Sequence, residues 1–196
     1  MARPKPDEDL IKAQLLDAAE RLLARYGPAK VTVTEIASEC GMSQSNAYRY
    51  YPTKQALMAA FAARWFSEVE AKLAEIAQGQ GTPRARLRHL LKTQLAIKIE
   101  RHDRDPALFR AYLELAAANP AAVAAHSKRL SSLIDGLVAE TSDGLSGRKI
   151  NLAATTQAIL DATLMVRDPW LIARFRDALD KERADSLIDL AISALD

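Results

Sequence analysis

Cysteine is almost missing from this chain: Cys40 is the single one in 196 residues. An internal disulfide framework is thereby excluded, and a reducing, cytosolic compartment is expected. No apolar run approaches the roughly 20 residues that a membrane-spanning helix needs, so no membrane partner is expected. The opening stretch Met1 to Asp9 is polar, holds Pro4 and Pro6, and is followed by no apolar segment of the kind a secretion signal carries. Glycine is sparse as well, and no glycine-rich phosphate loop, G-x-S-x-G elbow or paired-carboxylate arrangement can be found. The three histidines, His89, His102 and His126, stand too far apart for a spaced metal motif. His102-Asp103-Arg104-Asp105 reads as a solvated loop with a helix cap, and Cys40 as a small buried apolar residue. No catalytic site, metal or cofactor is expected.

A strong excess of charge is missing too. The net charge is +2, and residues 1 to 54 carry eight Lys/Arg against seven Asp/Glu, so bulk charge makes no case for nucleic acid. The distribution does: no acidic residue occurs from Cys40 to Ser67, a stretch that keeps Arg49, Lys54 and Arg64. A surface that meets phosphates should carry no repelling charge.

What the chain does contain is helical periodicity. Leu10, Ile11, Leu15, Ala18, Ala19, Leu22, Leu23 and Tyr26 recur at steps of three and four, predicting a helix over about 9 to 26 that Gly27 and Pro28 stop. Thr82-Pro83, Asp105-Pro106, Asn119-Pro120 and Asp168-Pro169 each set a capping residue before a proline, a pair suited to a helix start. Further helices are expected over about 149 to 166 and 181 to 195, with loops at Gln78 to Thr82 and Thr141 to Gly147. The one strand-like run, Val31 to Val33, is too short to build a sheet. The expected fold is all-α, with an N-terminal domain at 1–53 and a helical body at 54–196 joined by a long helix over about 54 to 77.

The stretch Thr32 to Lys54, TVTEIASECGMSQSNAYRYYPTK, carries the strongest functional signal. Thr32 and Glu35 match a capping box that opens a short helix over about 33 to 39. Gly41 suits a left-handed turn, and Ser43 can cap a second helix and leave amides free for phosphate. This is the layout of a helix-turn-helix whose second helix enters a major groove. Ala47 and Tyr51 are expected on the core side. Arginine pairs guanine bidentately, and Asn or Gln pairs adenine, so Arg49, Asn46 and Gln44 are the expected base readers. Thr34, Ser43, Tyr48 and Tyr50, with the Lys54 ammonium, are expected on phosphates.

Residues 10 to 57 resemble the N-terminal domain of the tetracycline-repressor (TetR) family of bacterial regulators. The matching features are an apolar first helix ending in glycine, T-x-x-x-I-A, G-x-S, and a tyrosine-rich recognition helix followed by lysine. By that resemblance Thr34, Ser43, Gln44, Tyr48, Arg49, Tyr50 and Lys54 fall on DNA-contacting positions. Ser45 departs from a frequent glycine or alanine, and Ala47 from a larger aliphatic. The resemblance further implies a repressor of a palindromic operator and a homodimer through helices 150–166 and 181–195. It also implies a small-molecule effector held in the body, for which Trp65, Phe66, Phe109, Tyr112, Leu115, His126, Leu164 and Trp170 are the candidates. The near-neutral head and Ala47 leave a second reading open: a ligand-binding or interaction protein on the same scaffold that does not read DNA.

Overall fold

The computed structural model describes residues 7–143 and 151–195, apart from the side chains of Asp143 and Ala194. Every regular element among them is helical: α1 (Glu8–Tyr26), α2 (Val33–Glu39), α3 (Gln44–Tyr50), α4 (Lys54–Ala77), α5 (Pro83–Arg104), α6 (Pro106–Ala117), α7 (Pro120–Asp143), α8 (Leu152–Ala162), α9 (Leu164–Arg167), α10 (Pro169–Arg174) and α11 (Lys181–Ile192). Short 3-10 turns follow at Arg176–Ala178 and Ser193–Leu195. The fold is all-α, and none of the described helices is long and apolar enough to cross a membrane.

Helix starts obey local capping chemistry. The Asp105 carboxylate accepts from the Leu108 amide at 2.8 Å, and that of Asp168 from the Leu171 amide at 2.9 Å, so each proline behind them loses no intrahelical bond. Thr82 and Thr53 hydroxyls accept from Ala85 and Ala56 at 3.2 and 3.0 Å. At Asn119 the backbone carbonyl meets the Ala122 amide at 3.1 Å.

Packing groups the chain into two compact units, residues 1–65 with 105–122, and residues 66–104 with 123–196. The division expected at 53/54 does not coincide with these units: packing draws its line within α4 and places α6 with the head. In the first unit α1, α2 and α3 pack on one another and α6 lies against α1. Its core holds Leu15, Ala18, Ala19, Leu23, Ile36, Ala37, Leu57 and Phe61, each almost fully buried. In the second unit α5 packs against α9, α10 and α11, and α8 against α11.

Three expectations change. The helix expected over 149 to 166 breaks at Thr163, where the Arg167 guanidinium takes the Leu160 carbonyl at 2.6 Å and the Thr163 hydroxyl bonds the Ile159 carbonyl at 2.6 Å; residues 149 and 150 lie outside the description. The loop expected from Thr141 is helical through Asp143, the Thr141 hydroxyl bonding the Leu137 carbonyl at 2.7 Å, and residues 144–147 lie outside the described residues. His102, Asp103 and Arg104 form the last turn of α5 instead of a loop, because Arg176 grips Asp103 with two bonds of 2.8 and 2.5 Å.

Candidate nucleic-acid interface

The seat of α3 is built by three local devices. Thr32 and Glu35 close the capping box: the Glu35 carboxylate accepts from the Thr32 amide and hydroxyl at 2.8 Å each, and the Thr32 hydroxyl accepts from the Glu35 amide at 3.2 Å. Those bonds hold the Glu35 carboxyl below its usual pKa. At the end of α2, Gly41 takes φ +65°, and the amides of Gly41 and Met42 bond the Ser38 and Ala37 carbonyls, both at 3.0 Å, which is a Schellman turn. Ser43 then caps α3, its hydroxyl accepting from the Asn46 amide at 3.2 Å.

Ala47 is 0% exposed and Tyr51 nearly buried, so α3 is pinned on the side that the periodicity predicts. Burial also raises the Tyr51 phenol pKa. Ser43, Gln44, Ser45, Tyr48 and Arg49 are exposed, while Asn46 and Tyr50 are half-buried; Thr34 on α2 is exposed. The Gln44 amide reaches the Tyr48 hydroxyl at 3.4 Å, aligning the two side chains one turn apart. The Asn46 amide is directed at the Met42 sulfur at 3.9 Å, a weak acceptor. Lys54 donates to the Pro28 carbonyl at 2.9 Å, tying the start of α4 to the loop after α1 and leaving two of its three ammonium protons.

The even charge count of the head is resolved by pairing. Glu39 holds Arg21 at 3.2 Å and Glu8 holds Lys12 at 2.8 Å. Asp17 and Glu20 clamp Arg64 at 2.5 and 2.8 Å. Among the described residues no ion pair is recorded for Arg49, so the cation of α3 stands apart from the head's carboxylates. Arg64, grouped with Arg49 and Lys54 by the acid-free stretch, belongs to this clamp and lies over the Phe61 ring instead of facing outward. Cys40 is half-exposed, not buried, with its thiol 3.4 Å from the Gln14 carbonyl and its pKa raised by burial.

The eight aromatic and apolar residues expected around an effector are divided between the units. Trp65, Phe109 and Tyr112 cluster in the first, with Trp65 4.6 Å from the Tyr112 ring and 6.1 Å from Phe109. Leu115 lines a groove of about 570 Å³ with Lys54, Met58, Ala59 and Ala118. In the second unit the His126 ring stacks on Phe66 at 4.4 Å and its Nδ1 meets the Glu70 carboxylate at 2.6 Å. Burial lowers the His126 pKa, the hydrogen bond it donates to the Glu70 carboxylate and that group's charge oppose, and the nearby Lys98 and Arg129 charges lower it further. Leu164 and Trp170 are about half exposed at 49% and 51%; the break at Thr163 and the short helix α10 leave them outside the core. Among the described residues no group of three or more His, Cys, Asp or Glu could hold a metal ion.

Two side chains absent from the sequence reading stand out in the second unit. Lys98 is 6% exposed, and its ammonium donates to the Arg167 carbonyl. Arg167 itself donates to the Thr163 hydroxyl at 2.9 Å and the Leu160 carbonyl at 2.6 Å. The available signal was a lysine at an apolar position of α5, in step with Leu87, Leu91 and Leu95.

Two family models match the chain: residues 15–61 fit the bacterial regulatory proteins of the tetR family, and residues 83–188 fit the tetracyclin repressor-like C-terminal domain. The chain belongs to the TetR family. An uncharacterised HTH-type transcriptional regulator of Mycobacterium tuberculosis is 34% identical over 74 residues, 36% of this chain. That match spans only 37% of the relative's length. A TetR transcription regulator from Haloarcula marismortui shares the fold, with a TM-score of 0.73 at 23% identity over 95% of this chain and 97% of that one. SmeT, the repressor of a Stenotrophomonas maltophilia multidrug efflux pump, superposes with a TM-score of 0.71 at 17% identity over 93% and 89%. In another structure SmeT is bound to triclosan, and there the TM-score is 0.72 at 19% identity over 94% and 91%. Both matched models describe the bacterial tetR-type regulatory proteins.

Proposed function

We propose that the regulator is a cytoplasmic repressor, binding a palindromic double-stranded operator as a homodimer and released from it by a small-molecule effector. The observation that carries the DNA-reading part is the contrast within α3: Ala47 is sealed into the head while Gln44, Tyr48 and Arg49 stand exposed. Arg49, Gln44 and Asn46 read bases, and Thr34, Ser43, Tyr48, Tyr50 and Lys54 grip phosphates. Asn46 reaches a base by giving up only its contact with the Met42 sulfur. Support for the dimer comes from exposed large apolar residues in the C-terminal helices, Leu152, Leu164, Trp170 and Leu190. A dimer sets two recognition helices about 34 Å or a somewhat longer spacing apart, which a palindrome matches. The repressor role and the effector are supported by SmeT, a repressor seen with triclosan.

Selection of bound fragments from random duplex DNA tests the proposal. A reproducible palindrome is expected; recovery of no common sequence would return the chain to the reading of a scaffold that does not read DNA. Arg49→Ala is expected to cost about 1–3 kcal/mol at one base position and to relax the preference there. Lys54→Ala should weaken all duplexes alike and flatten the salt dependence. An equal loss at every sequence for Arg49→Ala would remove its base-reading role.

A further inference from the structure

Apart from tyrosines and tryptophan, the buried polar side chains among the described residues lie in the second unit: Gln94, Lys98, Thr156 and Thr163. Thr163 is satisfied by the Ile159 carbonyl and by Arg167. The other three are not. Gln94 and Lys98 sit one turn apart on the same face of α5, and the Gln94 carbonyl oxygen has no hydrogen-bond partner; nor has the Thr156 hydroxyl. Lys98 uses one ammonium proton on the Arg167 carbonyl, the last residue of α9, and keeps two.

Buried charges in proteins are paired, because an uncompensated cation loses its hydration without return. Lys98 has no carboxylate within ion-pair distance among the described residues. Asp168, the acid that acts on it electrostatically, spends its carboxylate capping α10 at the Leu171 amide, 2.9 Å away. Arg167 is likewise held by neutral acceptors, and burial lowers its pKa as well. His126, stacked on Phe66, lies within reach of the Lys98 charge. Lys98, Arg167 and His126 thus all belong to this unit; His126 is paired with the Glu70 carboxylate, whereas Lys98 has no carboxylate bonded to it.

We propose that the effector is a small organic acid with an apolar body, whose carboxylate takes the free ammonium protons of Lys98 and supplies the missing counter-ion. The inference rests on the reading of this chain as an effector-responsive regulator. An entering carboxylate shares the Lys98 ammonium with the Arg167 carbonyl, which places the ligand beside the junction of α9 and α10.

The test uses the full chain with five probes: benzoate, decanoate, their neutral counterparts benzamide and decanol, and, as a separate arm, phenyl phosphate. Thermal melting and calorimetric titration are read for the wild type and for Lys98→Met. The expected result is binding of at least one carboxylate, with its neutral counterpart and Lys98→Met each weaker on the order of 30-fold or more. Because Lys98 titrates near pH 7 in the folded chain, carboxylate binding at that pH should take up about half a proton, visible as a buffer-dependent enthalpy that Lys98→Met abolishes. Equal binding of acid and neutral probe by the wild type, equal binding of the acid by both proteins, or no binding of either acid at millimolar concentration overturns the proposal. The comparison of acid with neutral probe needs no variant, so a misfolded Lys98→Met leaves the proposal decidable. Tighter binding of phenyl phosphate than of either acid overturns the carboxylate assignment. Acid binding through Lys98 that leaves the selected operator bound supports the site and overturns its role in release.

Discussion

Lys98 has a chemical signature that a surface lysine lacks. Burial, reinforced by the Arg167 charge and opposed by Asp168, brings its pKa down from 10.5 to about 7. The unfolded chain holds that proton up to the ordinary lysine value, whereas the folded chain releases it near neutrality. Between those two pH values the unfolded state binds more protons, so this residue makes stability rise with pH across the window and costs most below pH 7. Lys98→Met should therefore melt higher than the wild type at pH 6, and the gap should shrink toward pH 10. A constant gap across that range would show that the lysine is not titrating in the fold. At this scale the sequence was uneven in what it revealed. Ala47 and Arg49 fell where a helical wheel puts them, but the partners of Arg64 and Lys98 could not be read that way, because Asp17, Glu20 and Arg167 are distant in the chain.

At the scale of single elements, two glycines provide opposite expectations. Gly41 occupies φ +65° at the turn between α2 and α3, and a Cβ added there meets nothing within 4 Å. Gly41→Ala should thus be costly through backbone strain alone, by about 1 kcal/mol, and should weaken DNA binding by misplacing α3. Gly136 lies inside α7, is exposed, and has equally open surroundings. Gly136→Ala should stabilise by about 0.4–1 kcal/mol, since alanine loses less entropy in a helix. Melting temperatures of the two variants check both signs. Helix starts were legible because a cap and its proline interact within four residues. The break at Thr163 was not, since periodicity of the apolar stripe continues through it while the Arg167 side chain takes the Leu160 carbonyl.

For the whole molecule the decisive question is how the exposed apolar residues of the C-terminal helices are covered. Leu190 on α11 is 71% exposed, an unusual setting for leucine in a helix that also buries Ile188 and Ile192. In the dimer proposed here Leu190→Glu should shift sedimentation toward the monomer and weaken operator binding, while leaving helicity intact; an unchanged dimer would move the interface elsewhere. The amino-acid sequence alone determined the helical class, the helix-turn-helix and the family, because each rests on contacts between residues a few positions apart. Only the tertiary structure decided which charges are neutralised, that α6 joins the head unit, that Leu164 and Trp170 stay outside the core, and that one lysine is buried without a carboxylate. Those outcomes depend on packing between segments up to a hundred residues apart, where burial and pairing arise from the assembled unit and leave no trace in local pattern.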